Sequence, residues 1–180
     1  MNLPNKLTLF RVLLVPVFVF LLLFRGGEEM GFRIAALAVF SLASFTDFLD
    51  GQIARRYHLV TNFGKFMDPL ADKLLVSSAL ISMIELRELP AWYGIIIIAR
   101  EFIISGFRLV AADKGIVIAA SWWGKWKTVS QMLLVILLIL NLEPLRPATE
   151  LFLFLALALT IISLCDYIRK NLHVLTEGGL

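Results

Sequence analysis

Six apolar stretches, near 7–24, 32–56, 63–86, 91–112, 119–141 and 149–170, take up most of this 180-residue chain. Each approaches the roughly 20 residues that a helix needs to cross a hydrocarbon core. The breaks between them, RGGEE, RRYHLVTN, ELRELP, DKGIV and NLEPLRP, are charged or turn-forming clusters. None is long enough to separate one domain from another. The expectation is a single all-α domain over 1–180, an integral membrane bundle of six transmembrane helices. With 59% hydrophobic and 17% charged residues and a mean hydropathy of +0.86, the chain cannot supply a water-facing exterior of its own. The first run follows a basic start, as a secretion signal would, but leads into FRGGEEM without a small-residue cleavage pattern and is expected to stay as a helix. The lone cysteine, Cys165, excludes an internal disulfide and is expected to be a small buried side chain.

Basic residues orient the bundle. If both termini share a side with the second and fourth breaks, that side collects 13 of the 17 Lys and Arg residues. The other side keeps Arg25, Arg33, Arg87 and Arg146 beside six glutamates. By the positive-inside rule the crowded side is cytoplasmic.

One break is chemically unlike the rest. DFLDGQIARRYHLVTNFGKFMDPLADK, residues 47–73, puts Asp47 and Asp50 at the end of the second span and Asp68 and Asp72 at the start of the third. Ionisable groups at membrane depth are costly and are normally paired or functional. At 100° per residue, Asp47, Asp50, Gly51, Ala54 and Arg55 fall within a sector of about 140°. Gly64, Asp68 and Asp72 recur every four residues down one face of the next helix. Helices joined by a short loop are antiparallel neighbours, so the two faces can meet across a crevice. Gly51, Gly64 and Ala54 would let a bulky or phosphorylated ligand approach the backbone. Arg55, Arg56, Lys65 and Lys73 could neutralise the acids as a buried network. The alternative is a divalent cation, because carboxylate oxygens without His or Cys alongside suit Mg²⁺ or Mn²⁺, which in turn bind phosphates. Two such ions about 4 Å apart can clamp a phosphoryl displacement, and a carboxylate can take the proton of an attacking hydroxyl. His58, in the turn, has no partner at ligand spacing and reads as a solvated loop residue.

The pattern Asp47-x₂-Asp50-Gly51-x₂-Ala54-Arg55-x₈-Gly64-x₃-Asp68-x₃-Asp72 resembles the signature of the CDP-alcohol phosphotransferase family, with every fixed position filled. NLPNKLTLFRV, NFGKFMDPLADKLL, AREFIISGFRL and GKWKT resemble bacterial members that use glycerol 3-phosphate, so the likeness covers nearly the whole chain. The resemblance implies a six-helix fold, usually homodimeric, that moves a phosphatidyl group from CDP-diacylglycerol to an alcohol and releases CMP. It implies Asp47, Asp50 and Asp68 as ligands of two paired divalent ions, and Asp72 as proton acceptor that also touches the second ion. Gly51, Ala54, Arg55 and, in the turn, Thr61 would lie against the cytidine diphosphate. Asn5 and Thr8 are further candidates for that contact, although helix capping explains them equally well.

A glycerol 3-phosphate site needs cations apart from the acids. Arg100 lies about ten residues into the fourth span, roughly 15 Å along a helix, and a cation so deep must face the bundle. Arg108, Lys125 and Lys127 complete the candidate set, Arg being the fork that suits phosphate. Alternatively Arg100 and Arg108 pair with Glu101, Asp113 or the motif aspartates, and Glu101 and Arg108, seven apart, are nearly aligned. Trp92, Tyr93, Trp122, Trp123 and Trp126 fall near span ends, as an aromatic belt would. Other acceptors (an inositol phosphate, serine, phosphatidylglycerol) and a non-enzymatic cation carrier are the competing readings. Nothing points to nucleic acid.

Overall fold

The computed structural model describes residues 2–56, 61–113, 115–116, 118 and 121–176. Six helices follow one another: α1 (Leu3–Leu23), α2 (Met30–Arg56), α3 (Asn62–Glu85), α4 (Ala91–Asp113), α5 (Trp122–Leu140) and α6 (Arg146–Thr176). Short 3₁₀ turns at Phe24–Gly27 and Glu143–Leu145 stand before α2 and α6. A helix is present at each of the six expected stretches, with ends shifted by a few residues for local reasons. α1 starts early because Asn2 Oδ1 accepts the Asn5 N–H at 3.1 Å, an N-cap with Pro4 in the first turn. α5 starts late because Ser121 Oγ takes the Gly124 N–H at 3.1 Å. Among the described residues, Leu3–Gly27, Met30–Ile53, Trp122–Leu140 and Glu143–Leu172 are long and apolar enough to cross a bilayer. α3 and α4, of 24 and 23 residues, match them in length but carry ionisable side chains. Exposed Phe20, Ile95, Leu109 and Phe154 cover the outside with hydrocarbon, as a protein solvated by lipid requires. The chain is a membrane protein.

Contacts divide the chain into two compact units, residues 1–89 with 138–141, and residues 90–137 with 142–180. In the first, α1 packs on both α2 and α3, which touch each other far less. The buried face of α1, Asn5, Thr8, Arg11, Val15, Phe18 and Leu22, keeps the three-to-four spacing of one helical stripe. Its apolar half meets Phe40, with the Phe18 ring 5.6 Å away between centroids. Ala36, Ala43, Ala71 and Ala79, all fully buried, are the small residues that bring membrane helices close. The chain leaves α1 through Arg25, Gly26 and Gly27, all at positive φ. At φ +71° Gly27 holds a backbone conformation that L side chains rarely adopt, and a Cβ there would also stand 2.9 Å from both Leu86 Cδ atoms.

The far end of this unit is tied by Arg33, one of the arginines on the cation-poor side. It is buried and donates through Nε to Ile139 O at 2.7 Å, through Nη2 to Leu138 O at 2.6 Å and through Nη1 to Gly27 O at 3.0 Å. The same fork grips Glu88 at 2.8 and 2.9 Å, and Glu88 also accepts from Asn141 at 3.0 Å. Arg33 thereby satisfies orphan carbonyls at the C-terminus of α5. In the second unit α4 packs on α6, with the Tyr93 hydroxyl donating to Leu153 O at 3.0 Å. Tyr93 is thus a packed residue and leaves the expected belt, whereas Trp92, Trp122, Trp123 and Trp126 are exposed. Cys165 is exposed too, contrary to the expectation of burial.

Candidate active site

Three of the four aspartates, Asp47, Asp50 and Asp68, meet a third helix. The crevice expected between α2 and α3 is occupied by the polar half of α1. Arg11, fully buried, donates through Nη1 to Asp47 Oδ1 at 2.5 Å. Its Nη2 pairs with Asp50 Oδ2. Asp50 is closed off at 2% side-chain exposure, whereas Asp47 remains 42% open. Thr8 Oγ1 donates to Asp68 Oδ1 at 2.6 Å. Asp68 is near enough for its charge to act on both Asp47 and Asp50. Asp72, one turn further along α3, is exposed.

The entry to α3 is joined to the same face. Thr61 is its N-cap and accepts the Gly64 N–H at 3.0 Å. Its hydroxyl donates to Asn5 Oδ1 at 2.9 Å. A Cβ on Gly64 would lie 3.2 Å from Asn5 Oδ1 and 3.5 Å from Asp68 Oδ2, so the glycine lets α1 come this close. Gly51 sits on α2 next to Asp50, partly exposed. Ala54 and Arg55 continue α2, but their side chains, like that of Lys65 on α3, lie outside the described residues, as does His58 with the rest of 57–60.

Arg11 is the residue that sequence reasoning missed. The cations expected against the acids were Arg55, Arg56, Lys65 and Lys73, neighbours along the chain. The available signal was the recurrence of Asn5, Thr8 and Arg11 at every third position in a span otherwise apolar. Among the described residues, no three Asp, Glu, His or Cys side chains converge into a ready-made metal cage. Two of the three aspartates are drawn to the guanidinium instead.

A second polar cluster lies wholly within the other unit. Arg100 and Lys127 are 8% and 3% exposed. Both reach Glu101 Oε1, Arg100 Nη1 at 3.0 Å and Lys127 Nζ in an ion pair. Arg100 Nη2 donates to Ser163 Oγ of α6 at 3.1 Å, while Arg100 Nε is buried without a hydrogen-bond partner among the described residues. The pairing of Glu101 with Arg108 is not formed. Seven residues put them about 10 Å apart along the axis, and Lys127 from α5 arrives at shorter range. Arg108 is exposed, and so is Lys125, whose ammonium lies 5.6 Å from the Trp122 ring centroid. Of the four expected acceptor cations, two are buried together and two face outwards.

A profile of the CDP-alcohol phosphatidyltransferase family matches residues 1–162. The chain is 45% identical over 191 aligned positions to a Bacillus subtilis protein named CDP-diacylglycerol–glycerol-3-phosphate 3-phosphatidyltransferase, with 99% of each chain covered. A Haemophilus influenzae protein of the same name is 41% identical, over 93% of this chain and 92% of its own length. A Mycobacterium tuberculosis protein named probable phosphatidylglycerophosphate synthase is 42% identical, over 99% of this chain and 85% of that one. With the motif complete and Asp47, Asp50 and Asp68 gathered about α1, the chain belongs to the CDP-alcohol phosphatidyltransferase family.

Proposed function

We propose that this enzyme transfers the phosphatidyl group of CDP-diacylglycerol to glycerol 3-phosphate, giving phosphatidylglycerophosphate and CMP. The observation that carries the reading is the gathering of Asp47, Asp50 and Asp68 about α1. It is supported by the names of relatives that match the chain almost end to end. The family match runs through both units without a break, which favours one catalytic domain over 1–180.

The family is generally dependent on divalent metal, and the donor set here fits one: hard carboxylate oxygens with no sulfur or imidazole among them. On this reading Asp47, Asp50, Asp68 and Asp72 hold two Mg²⁺ or Mn²⁺ ions, which when bound neutralise charge building on the diphosphate. The acceptor hydroxyl oxygen bonds to the phosphorus that carries diacylglycerol, the bond from that phosphorus to the CMP oxygen breaks, and Asp72 takes the hydroxyl proton. Its exposure on α3 suits it to meet a water-soluble alcohol. Gly51, Ala54, Arg55 and Thr61 border the nucleotide, with Asn5 and Thr8 behind it. Acyl chains remain in the bilayer while the head group reaches the acids.

Arg100 and Lys127 form the acceptor phosphate site, with Arg108 and Lys125 at its approaches. Among the described residues two buried cations share one carboxylate oxygen, and Arg100 Nε has no hydrogen-bond partner. Buried polar groups in that state are costly unless a ligand completes them. An anionic acceptor does so, which favours glycerol 3-phosphate over serine. The expected topology, which gathers 13 of 17 cationic residues on one side, supports a bacterial cytoplasmic membrane location, with the acids and both termini facing the cytoplasm. The family resemblance supports a homodimer.

Purified protein supplied with CDP-diacylglycerol, glycerol 3-phosphate and Mg²⁺ is expected to release CMP and to stop on chelation. A panel of labelled alcohols identifies the acceptor. Turnover indifferent to chelators, or a neutral alcohol preferred over the phosphorylated one, overturns the reading.

A further inference from the structure

The polar stripe of α1 grips three motif carboxyls by one oxygen each. Arg11 takes Asp47 Oδ1 and Asp50 Oδ2 with separate nitrogens, and Thr8 takes Asp68 Oδ1. Thr8 Oγ1 also lies 3.1 Å from Pro4 O. A hydroxyl has one proton, and the 2.6 Å contact to a carboxylate is the stronger claim on it. Among the described residues no α1 donor reaches the opposite oxygens, Asp47 Oδ2, Asp50 Oδ1 and Asp68 Oδ2. Asn5, one turn earlier, holds the α3 cap through Thr61. Residues 5, 8 and 11 thus brace α2 and α3 from one face, and the bracing is buried: Thr8 and Arg11 are both fully enclosed.

We infer that Arg11 and Thr8 are positioning residues for the divalent cations of the reaction. They fasten one oxygen of each carboxyl and leave the other for the ion. The inference rests on the metal reading above and goes beyond it by assigning the outer layer of the site to α1. Such partners lock the rotamer of a ligand, and their loss typically weakens metal affinity by about 10- to 100-fold. The opposing possibility is that the guanidinium merely stands in for the ion and is expelled when one binds. The two predict opposite signs, because removing a competitor tightens binding whereas removing a brace loosens it.

The test is calorimetric titration of Mn²⁺ into the full-length protein in detergent, without substrate, so that binding is read independently of turnover. Arg11→Met is expected to weaken Mn²⁺ by about 10- to 100-fold, and Thr8→Val by less in the same direction. Arg11→Lys, which offers one ammonium in place of a fork, is expected to recover some of the loss. The Mn²⁺ concentration for half-maximal activity should rise in parallel. Arg11→Met strands Asp50 and can fail to fold; Thr8→Val keeps its shape and then carries the test alone. Unchanged or tighter binding in the variants overturns the inference and leaves the metal reading standing. No saturable Mn²⁺ binding by the wild type overturns both.

Discussion

Lys127→Met removes one charge from the buried cluster of Arg100, Glu101 and Lys127 while keeping an unbranched apolar stem. In the native protein two cations share Glu101 Oε1. After the change Arg100 and Glu101 remain as a 3.0 Å pair, so Glu101 keeps a counter-charge. The fold should therefore lose little stability. Glu101→Gln does the reverse: it takes from two cations, 8% and 3% exposed, the carboxylate they share. Breaking a buried pair in that way costs roughly 3–5 kcal/mol. Catalysis should respond in a different pattern. A hydrogen bond to a charged group contributes about 1.5–3 kcal/mol, which for a phosphate held by Lys127 corresponds to roughly a tenfold to hundredfold loss in kcat/KM. CMP release at saturating CDP-diacylglycerol, with glycerol 3-phosphate varied, measures the loss; the same assay with glycerol, which has no phosphate to lose, should barely change. Thermal unfolding in detergent provides the control. If Lys127→Met raises KM for CDP-diacylglycerol and leaves glycerol 3-phosphate untouched, the cluster is not the acceptor site.

Asp72→Asn should leave nucleotide binding largely intact and lower kcat by about 10²- to 10⁴-fold, the usual contribution of a general base; unimpaired turnover would remove Asp72 from that role. Arg33→Met breaks the Glu88 fork and strands the carbonyls of Gly27, Leu138 and Ile139. A destabilisation of at least roughly 3 kcal/mol is expected, read as a lowered midpoint in detergent unfolding, and a midpoint within a degree of wild type would show that the clamp carries no net energy. Gly64→Ala sets a methyl 3.2 Å from Asn5 Oδ1, so α1 or Asn5 must shift; a measurable drop in kcat without loss of expression is expected, and full activity would mean that the close approach is dispensable.

The helices were legible in the linear chain because hydropathy and helical period are local properties. A run of apolar residues spans whatever its neighbours do, and caps such as Asn2, Thr61 and Ser121 adjust the ends by a few positions. The same period put Asp47 with Asp50, and Gly64 with Asp68 and Asp72, on common faces before any fold was known. Pattern recognition added the chemistry those faces suggest. Partner choice is a different matter, since a period says which side chains share a face but not which helix that face will meet. Asp50 and Arg11 are 39 residues apart, and the acids' nearest basic neighbours in the chain were the obvious candidates. Glu101 and Lys127 are 26 apart, on different helices, whereas Arg108 lay two turns away on the same one. In lipid an unpaired buried charge is expensive enough that the packing of whole helices settles which cation meets which acid. That selection is a property of the assembled bundle.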